Sequence, residues 1–192
     1  LIIQKGNTMS PVKKIVKSST KAAPATDALQ KGIHSEKAAL EAYLRFARNT
    51  KNISGKDMFI RLSQDELGHL NLLEKELDSL MTGKQWVKAV IKTSDIEELL
   101  PHIDSRQALV QAGEGSSDDL AALNMALEME RKAGAFYKKE SSRAVDRNAK
   151  AMYARLAEME EAHFNLIQAE LDHIKDLGFW FGIQEFTLEA ND

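Results

Sequence analysis

The feature that most constrains this chain is an internal repeat in which polar residues are copied along with apolar ones. Residues 36–77 match residues 130–171 at a fixed offset of 94: Glu36 answers Glu130, Ala39 answers Ala133, Tyr43 answers Tyr137, Glu66 answers Glu160 and His69 answers His163. Leu73, Glu76 and Leu77 likewise answer Ile167, Glu170 and Leu171. A duplicated unit of this length packs about a pseudo-two-fold axis, so whatever one copy turns inward meets its counterpart from the other.

The apolar period in both copies is helical. Leu29, Ile33, Leu40, Leu44 and Ala47 mark a first helix over 27–50, and Phe59, Leu62, Leu70, Leu73, Leu77 and Leu80 mark a second. Ser54 with Asp57 is the expected cap of the second helix, and Gly83 suits its end. Leu120, Leu123, Leu127, Ala133 and Phe136 give a third helix over 118–142. Met152, Leu156, Ile167, Leu171 and Ile174 give a fourth over 146–177, closed by Gly178. Residues 84–117 carry no sustained stripe, only candidate short helices at 86–91 and 95–100. Two helices, a long crossover and two more helices are the connectivity of an all-α, ferritin-like four-helix bundle. The expected organisation is a flexible basic tail over 1–26, the bundle over 27–178 and an aromatic C-terminal segment over 179–192. The tail has five lysines and no acid, with Met9 as a candidate natural start. The aromatic segment is expected to form an apolar lid or a subunit contact. No apolar run reaches 18 residues, so no membrane association is expected.

Glu66 and His69 interrupt the apolar stripe Phe59, Leu62, Leu73, Leu77, and therefore face the core. Glu160 and His163 do the same between Leu156 and Ile167. Glu36 shares a face with Ile33, Leu40 and Tyr43, and Glu130 with Leu123, Leu127, Ala133 and Tyr137. Four carboxylates in a helical interior cost several kcal/mol each unless they are paired or protonated. Two divalent cations against four carboxylates and two neutral imidazoles balance the charge. A Glu from each of two helices plus Glu-x-x-His from each of the other two is the di-iron or di-manganese carboxylate arrangement. A lone Glu-x-x-His says little, since one inward His is usually a satisfied core residue. Here Glu66-Leu-Gly-His69 and Glu160-Glu-Ala-His163 each follow by thirty residues a Glu that precedes a Tyr by seven. The competing reading is a metal-free buried polar network. With no cysteine in the chain, any metal takes nitrogen and oxygen ligands, so thiolate zinc and cysteine-held iron are ruled out. Tyr43 and Tyr137 are either packing residues with satisfied hydroxyls or groups that bond a ligating carboxylate or take part in redox chemistry. Asp65 can reach a ligand His, although its repeat mate is Met159. Glu128 and Glu161 read as surface residues.

The segments Glu36-Lys-Ala-Ala-Leu-Glu-Ala-Tyr43, Asp65-Glu66-Leu-Gly-His69, Glu130-Arg-Lys-Ala-Gly-Ala-Phe-Tyr137 and Glu160-Glu-Ala-His163 resemble the ferritin-like di-iron superfamily, and within it the rubrerythrin-like branch. The resemblance covers 27–177 and implies two iron ions, with manganese as the alternative, held by Glu36, Glu66, His69, Glu130, Glu160 and His163. Ala133 stands where peroxidase members usually carry a further carboxylate, which implies a more symmetric site, closer to a bacterioferritin ferroxidase centre. The implied activity is reduction of hydrogen peroxide or dioxygen with oxidation of Fe(II), with Tyr43 and Tyr137 assisting. A non-catalytic iron-binding or storage protein, and an oxygen-activating oxidase of an organic substrate, are the alternatives. Lacking a rubredoxin module, the chain would draw electrons from a separate donor protein or from iron itself. A cytoplasmic homodimer with no nucleic-acid partner completes the expectation.

Overall fold

The computed structural model describes residues 19–89, 94, 96 and 110–182. Among the described residues four long helices, α1 (Ser19–Asn49), α2 (Ile53–Met81), α3 (Ser117–Arg143) and α4 (Arg147–Leu177), are accompanied by two short strands, β1 (Val110–Glu114) before α3 and β2 (Phe179–Gly182) after α4. α1 pairs with α2 and α3 with α4 along their lengths, as two hairpins of one bundle. The expected ferritin-like four-helix fold with a long connection between its second and third helices is the one observed.

The helix ends follow the chain's own capping chemistry. Asn52 caps α2, its side chain accepting from the Gly55 N–H at 3.1 Å, so the expected cap at Ser54 is displaced by two residues. Ser116 opens α3 with a reciprocal capping box to Asp119, and Asp146 caps α4 through the N–H groups of Asn148 and Ala149. Gly178 ends α4 at φ 79°, a left-handed conformation that a side chain would disfavour. Asn52 and Asp146 are themselves 94 residues apart, so the repeat extends to the caps.

Two expectations are corrected. α1 begins at Ser19, inside the segment read as a flexible tail; residues 1–18 lie outside the described residues. Residues 84–89 form no helix, and of the candidate short helix at 95–100 only buried, helical Ile96 is described. The aromatic segment starts as a strand: β2 pairs antiparallel with β1, and Trp180 is fully buried against Phe59. Of the aromatic residues expected to form a lid or a subunit contact, Trp180 packs into the bundle interior, while residues 183–192 lie outside the described residues.

Two apolar clusters fill the bundle. One contains Tyr43, Phe46, Phe59, Leu62, Leu123, Ile167 and Trp180, and the other Leu29, Leu73, Tyr137, Met152, Tyr153 and Leu156. Fully burying each such side chain contributes roughly 1.5–3 kcal/mol. Along every helix inward polar residues fall between the clusters: Glu36 between Leu29 and Tyr43, Glu66 and His69 between Leu62 and Leu73, Glu130 between Leu123 and Tyr137, Glu160 and His163 between Leu156 and Ile167. The polar layer is thus sealed by hydrophobic residues on both sides.

Candidate metal centre

All six residues expected from the sequence to be ligands meet in that layer, and none is more than 2% exposed. Their donor atoms form two overlapping groups, Glu36, Glu66, His69 and Glu160 on one side and Glu66, Glu130, Glu160 and His163 on the other. Glu66 and Glu160 belong to both, while each side has its own Glu and its own His. The two imidazoles lie nearly parallel, with ring centroids 5.6 Å apart.

Each histidine turns Nδ1 to the carboxylates. The Nδ1 atom of His69 lies 3.2 Å from Glu160 Oε1, 3.4 Å from Glu66 Oε2 and 3.5 Å from Glu36 Oε2. That of His163 lies 3.2 Å from Glu66 Oε1, 3.5 Å from Glu130 Oε2 and 4.0 Å from Glu160 Oε2. Both Nδ1 atoms, both Glu66 oxygens, Glu130 Oε2 and Glu160 Oε1 are buried without a hydrogen-bond partner among the described residues. Orphaned buried polar atoms are rare and costly. Ligand atoms about 2.0–2.2 Å from a common first-row divalent ion stand about 3.0–3.5 Å from one another, which is the spacing found for most of these pairs. The donor set therefore fits two cations.

Electrostatics says the same. Burial, aided by the charge of Glu66, pushes Glu36 up to about 8. Burial and then the neighbouring carboxylates Glu66, Glu130 and Glu36 hold Glu160 well above the usual range. Without positive charge this interior resists carrying all four carboxylates ionised.

The tyrosines cross the bundle. Tyr43 of α1 donates its hydroxyl to Glu130 Oε1 on α3, and Tyr137 of α3 donates to Glu36 Oε1 on α1. Burial, then the adjacent carboxylate, keeps both phenols well above their ordinary range, so they stay protonated donors. In each terminal carboxylate one oxygen takes the phenol and the other faces a histidine. Each hydroxyl is thus satisfied by an inward carboxylate, an arrangement that both readings given to these tyrosines share.

Asp65 reaches a histidine, though not the one a turn further along its own helix. Its Oδ2 lies 3.0 Å from Nε2 of His163 on α4. Glu161 pairs with Lys138 and Glu128 with Arg131 and Lys132 at the surface, as expected. Two residues escaped the sequence reading. Tyr153 and Trp86 pack in series behind Tyr137, and the available signal was the same repeat, since 94 residues separate Phe59 from Tyr153 and Trp86 from Trp180.

A ferritin-like bundle with two overlapping carboxylate and histidine tetrads defines a class of dimetal carboxylate proteins. The family model described as Rubrerythrin matches residues 27–171, and the chain belongs to the rubrerythrin family. Among solved structures the fold is similar to that of a chain titled "Hypothetical Protein Pfu-1136390-001" from Pyrococcus furiosus. That match has a TM-score of 0.60 at 24% identity and covers 79% of this chain and 90% of that one. No curated protein matches. None of the described helices is long and apolar enough to cross a membrane.

Proposed function

We propose that this protein is a di-iron oxidoreductase that reduces hydrogen peroxide, or dioxygen, with oxidation of Fe(II). The observation that carries the reading is the sharing of Glu66 and Glu160 between the two tetrads. Carboxylates shared in this way would hold two ions, and a pair of iron ions would supply two electrons together, the number that peroxide reduction needs. Membership of the rubrerythrin family supports iron over manganese.

The chain's own residues do the rest. Four carboxylates and two neutral histidines neutralise two divalent cations, and the flanking apolar clusters keep bulk water out. Tyr43 and Tyr137 fix the two terminal carboxylates and hold a proton beside each. With no cysteine in the chain, reducing equivalents come from a separate donor protein or from iron. The working form is taken to be a cytoplasmic homodimer.

The test is anaerobic loading with Fe(II), then stopped-flow mixing with peroxide or with dioxygen. Oxidation of two irons per chain, faster with peroxide, is the expected result. A ferrous protein inert to both oxidants overturns the reading, and iron accumulating far beyond two per chain under air assigns storage instead. The manganese-loaded form serves as the comparison for metal identity.

A further inference from the structure

Two files of aromatic rings lead away from the carboxylate and histidine layer, and the repeat relates one to the other. In the first, Tyr43, bonded to Glu130, stacks on Phe59 at 6.2 Å and 22°, and Phe59 meets Trp180 edge-on at 6.2 Å. In the second, Tyr137, bonded to Glu36, stacks on Tyr153 at 6.1 Å and 21°, and Tyr153 meets Trp86 edge-on at 6.1 Å. The geometry is copied but the chemistry is not. A phenol or an indole can lose one electron at potentials a protein reaches, whereas the unsubstituted ring of phenylalanine cannot. Phe59 therefore interrupts the first file, and Tyr153 completes the second.

Exposure separates the files in the same sense. Trp180 is fully buried, whereas Trp86 is half-buried and reaches solvent. The segment carrying Trp86 has no regular secondary structure, yet three side chains pin it. The Trp86 carbonyl accepts from the Asn148 amide at 3.1 Å, the Val87 N–H donates to Glu76 at 3.1 Å, and the Gln85 carbonyl accepts from Ser79 at 3.1 Å. The indole is thus held against Tyr153 by both hairpins of the bundle.

We propose that Trp86, Tyr153 and Tyr137 form a one-way-accessible route by which electrons pass from a one-electron reductant at the surface to the metal centre. The centre's role as acceptor rests on the function proposed above. In each transfer Tyr137 gives one electron to the centre while its phenolic proton shifts along its hydrogen bond toward Glu36. The electron is replaced from Trp86 through the ring of Tyr153, which keeps its phenolic proton because its hydroxyl has no acceptor among the described residues. The proton on Glu36 returns to Tyr137, and the surface reductant restores Trp86, any indole proton lost to solvent being regained there. Two such transfers, with two protons from solvent, match the reduction of one hydrogen peroxide to two waters.

The route is tested apart from the reaction in Trp180→Phe protein loaded with zinc, which is redox-inert and keeps the interior charge balanced. Azide radicals generated by pulse radiolysis oxidise the remaining indole, Trp86. The expected result is loss of the tryptophanyl absorption with a matching rise of the tyrosyl absorption, first-order and independent of protein concentration. Adding Tyr153→Phe slows that transfer by an order of magnitude or more. This variant keeps its packing, because the Tyr153 hydroxyl has no partner among the described residues and the repeat places Phe59 at the equivalent position. An unchanged transfer rate in Tyr153→Phe, or no tyrosyl signal before that change is made, overturns the route. Failure of peroxide to oxidise the ferrous wild type would remove the functional reading alone, since the zinc measurement involves no iron.

Discussion

Asp65 on α2 accepts a hydrogen bond from Nε2 of His163 on α4 at 3.0 Å, while Nε2 of His69, the repeat mate of His163, has no partner among the described residues. Met159 occupies the position from which a second aspartate would serve His69. A carboxylate behind a ligating imidazole fixes its tautomer and raises its basicity. The position that includes His163 is therefore expected to bind metal first and more tightly. Asp65→Asn should weaken that step by about 10–100-fold and leave the other step in place. Calorimetric titration with Co(II) reads the two steps, and identical isotherms for the variant and the wild type would refute the assignment.

The sharing of ligands makes stoichiometry diagnostic. Glu66 and Glu160 contribute to both tetrads, Glu36 and His69 to one, and Glu130 and His163 to the other. Glu66→Ala should abolish tight binding of both ions, whereas Glu130→Ala should leave one. Metal analysis after desalting distinguishes two, one and none; two equivalents retained by Glu66→Ala would remove the paired site.

The metal-free protein should lose stability as pH rises. Glu36 moves from 4.5 up to about 8 on folding, chiefly through burial, and Glu160 moves in the same direction. Between these values the unfolded chain has lost protons that the folded one retains, so unfolding gains ground with increasing pH. His69 and His163, raised because the surrounding carboxylates outweigh burial, act with the same sign as pH passes their ordinary 6.5. Divalent metal reverses the trend, because its ligands bind deprotonated. Thermal melts of the metal-free and metal-loaded protein at pH 5.5 and 8, taken as about the ends of this range, should show a metal-induced gain in Tm that is larger at pH 8. A gain independent of pH would contradict the charge-compensation account.

Two glycines of α2 should respond oppositely to alanine. A Cβ at Gly55 would stand 2.8 Å from the Trp180 ring and 2.9 Å from Thr50, both held in the core, so Gly55→Ala should destabilise by about 1–3 kcal/mol. At Gly68 a Cβ meets nothing within 4 Å, and there alanine should stabilise the helix by about 0.5–1 kcal/mol. Urea denaturation measures both changes, and equal signs would rule out the packing of Trp180 described above.

The four helices, the long connection and the inward direction of the six clustered Glu and His residues are legible in the sequence alone. Helical period is a local property, and a Glu or His interrupting an apolar stripe identifies its face without reference to any other helix. The duplication then says that two copies of that face must meet. Tertiary structure alone decided the partnerships across helices: Tyr43 bonds the carboxylate of α3 rather than that of its own helix, Asp65 serves the histidine of α4, and Trp86 lies against Tyr153. Those choices depend on the rotation and axial offset of one hairpin against the other, which packing of the whole interior sets. The strand at Phe179–Gly182 was hidden for the same reason, since a strand needs a partner and β1 lies 65 or more residues earlier in the chain.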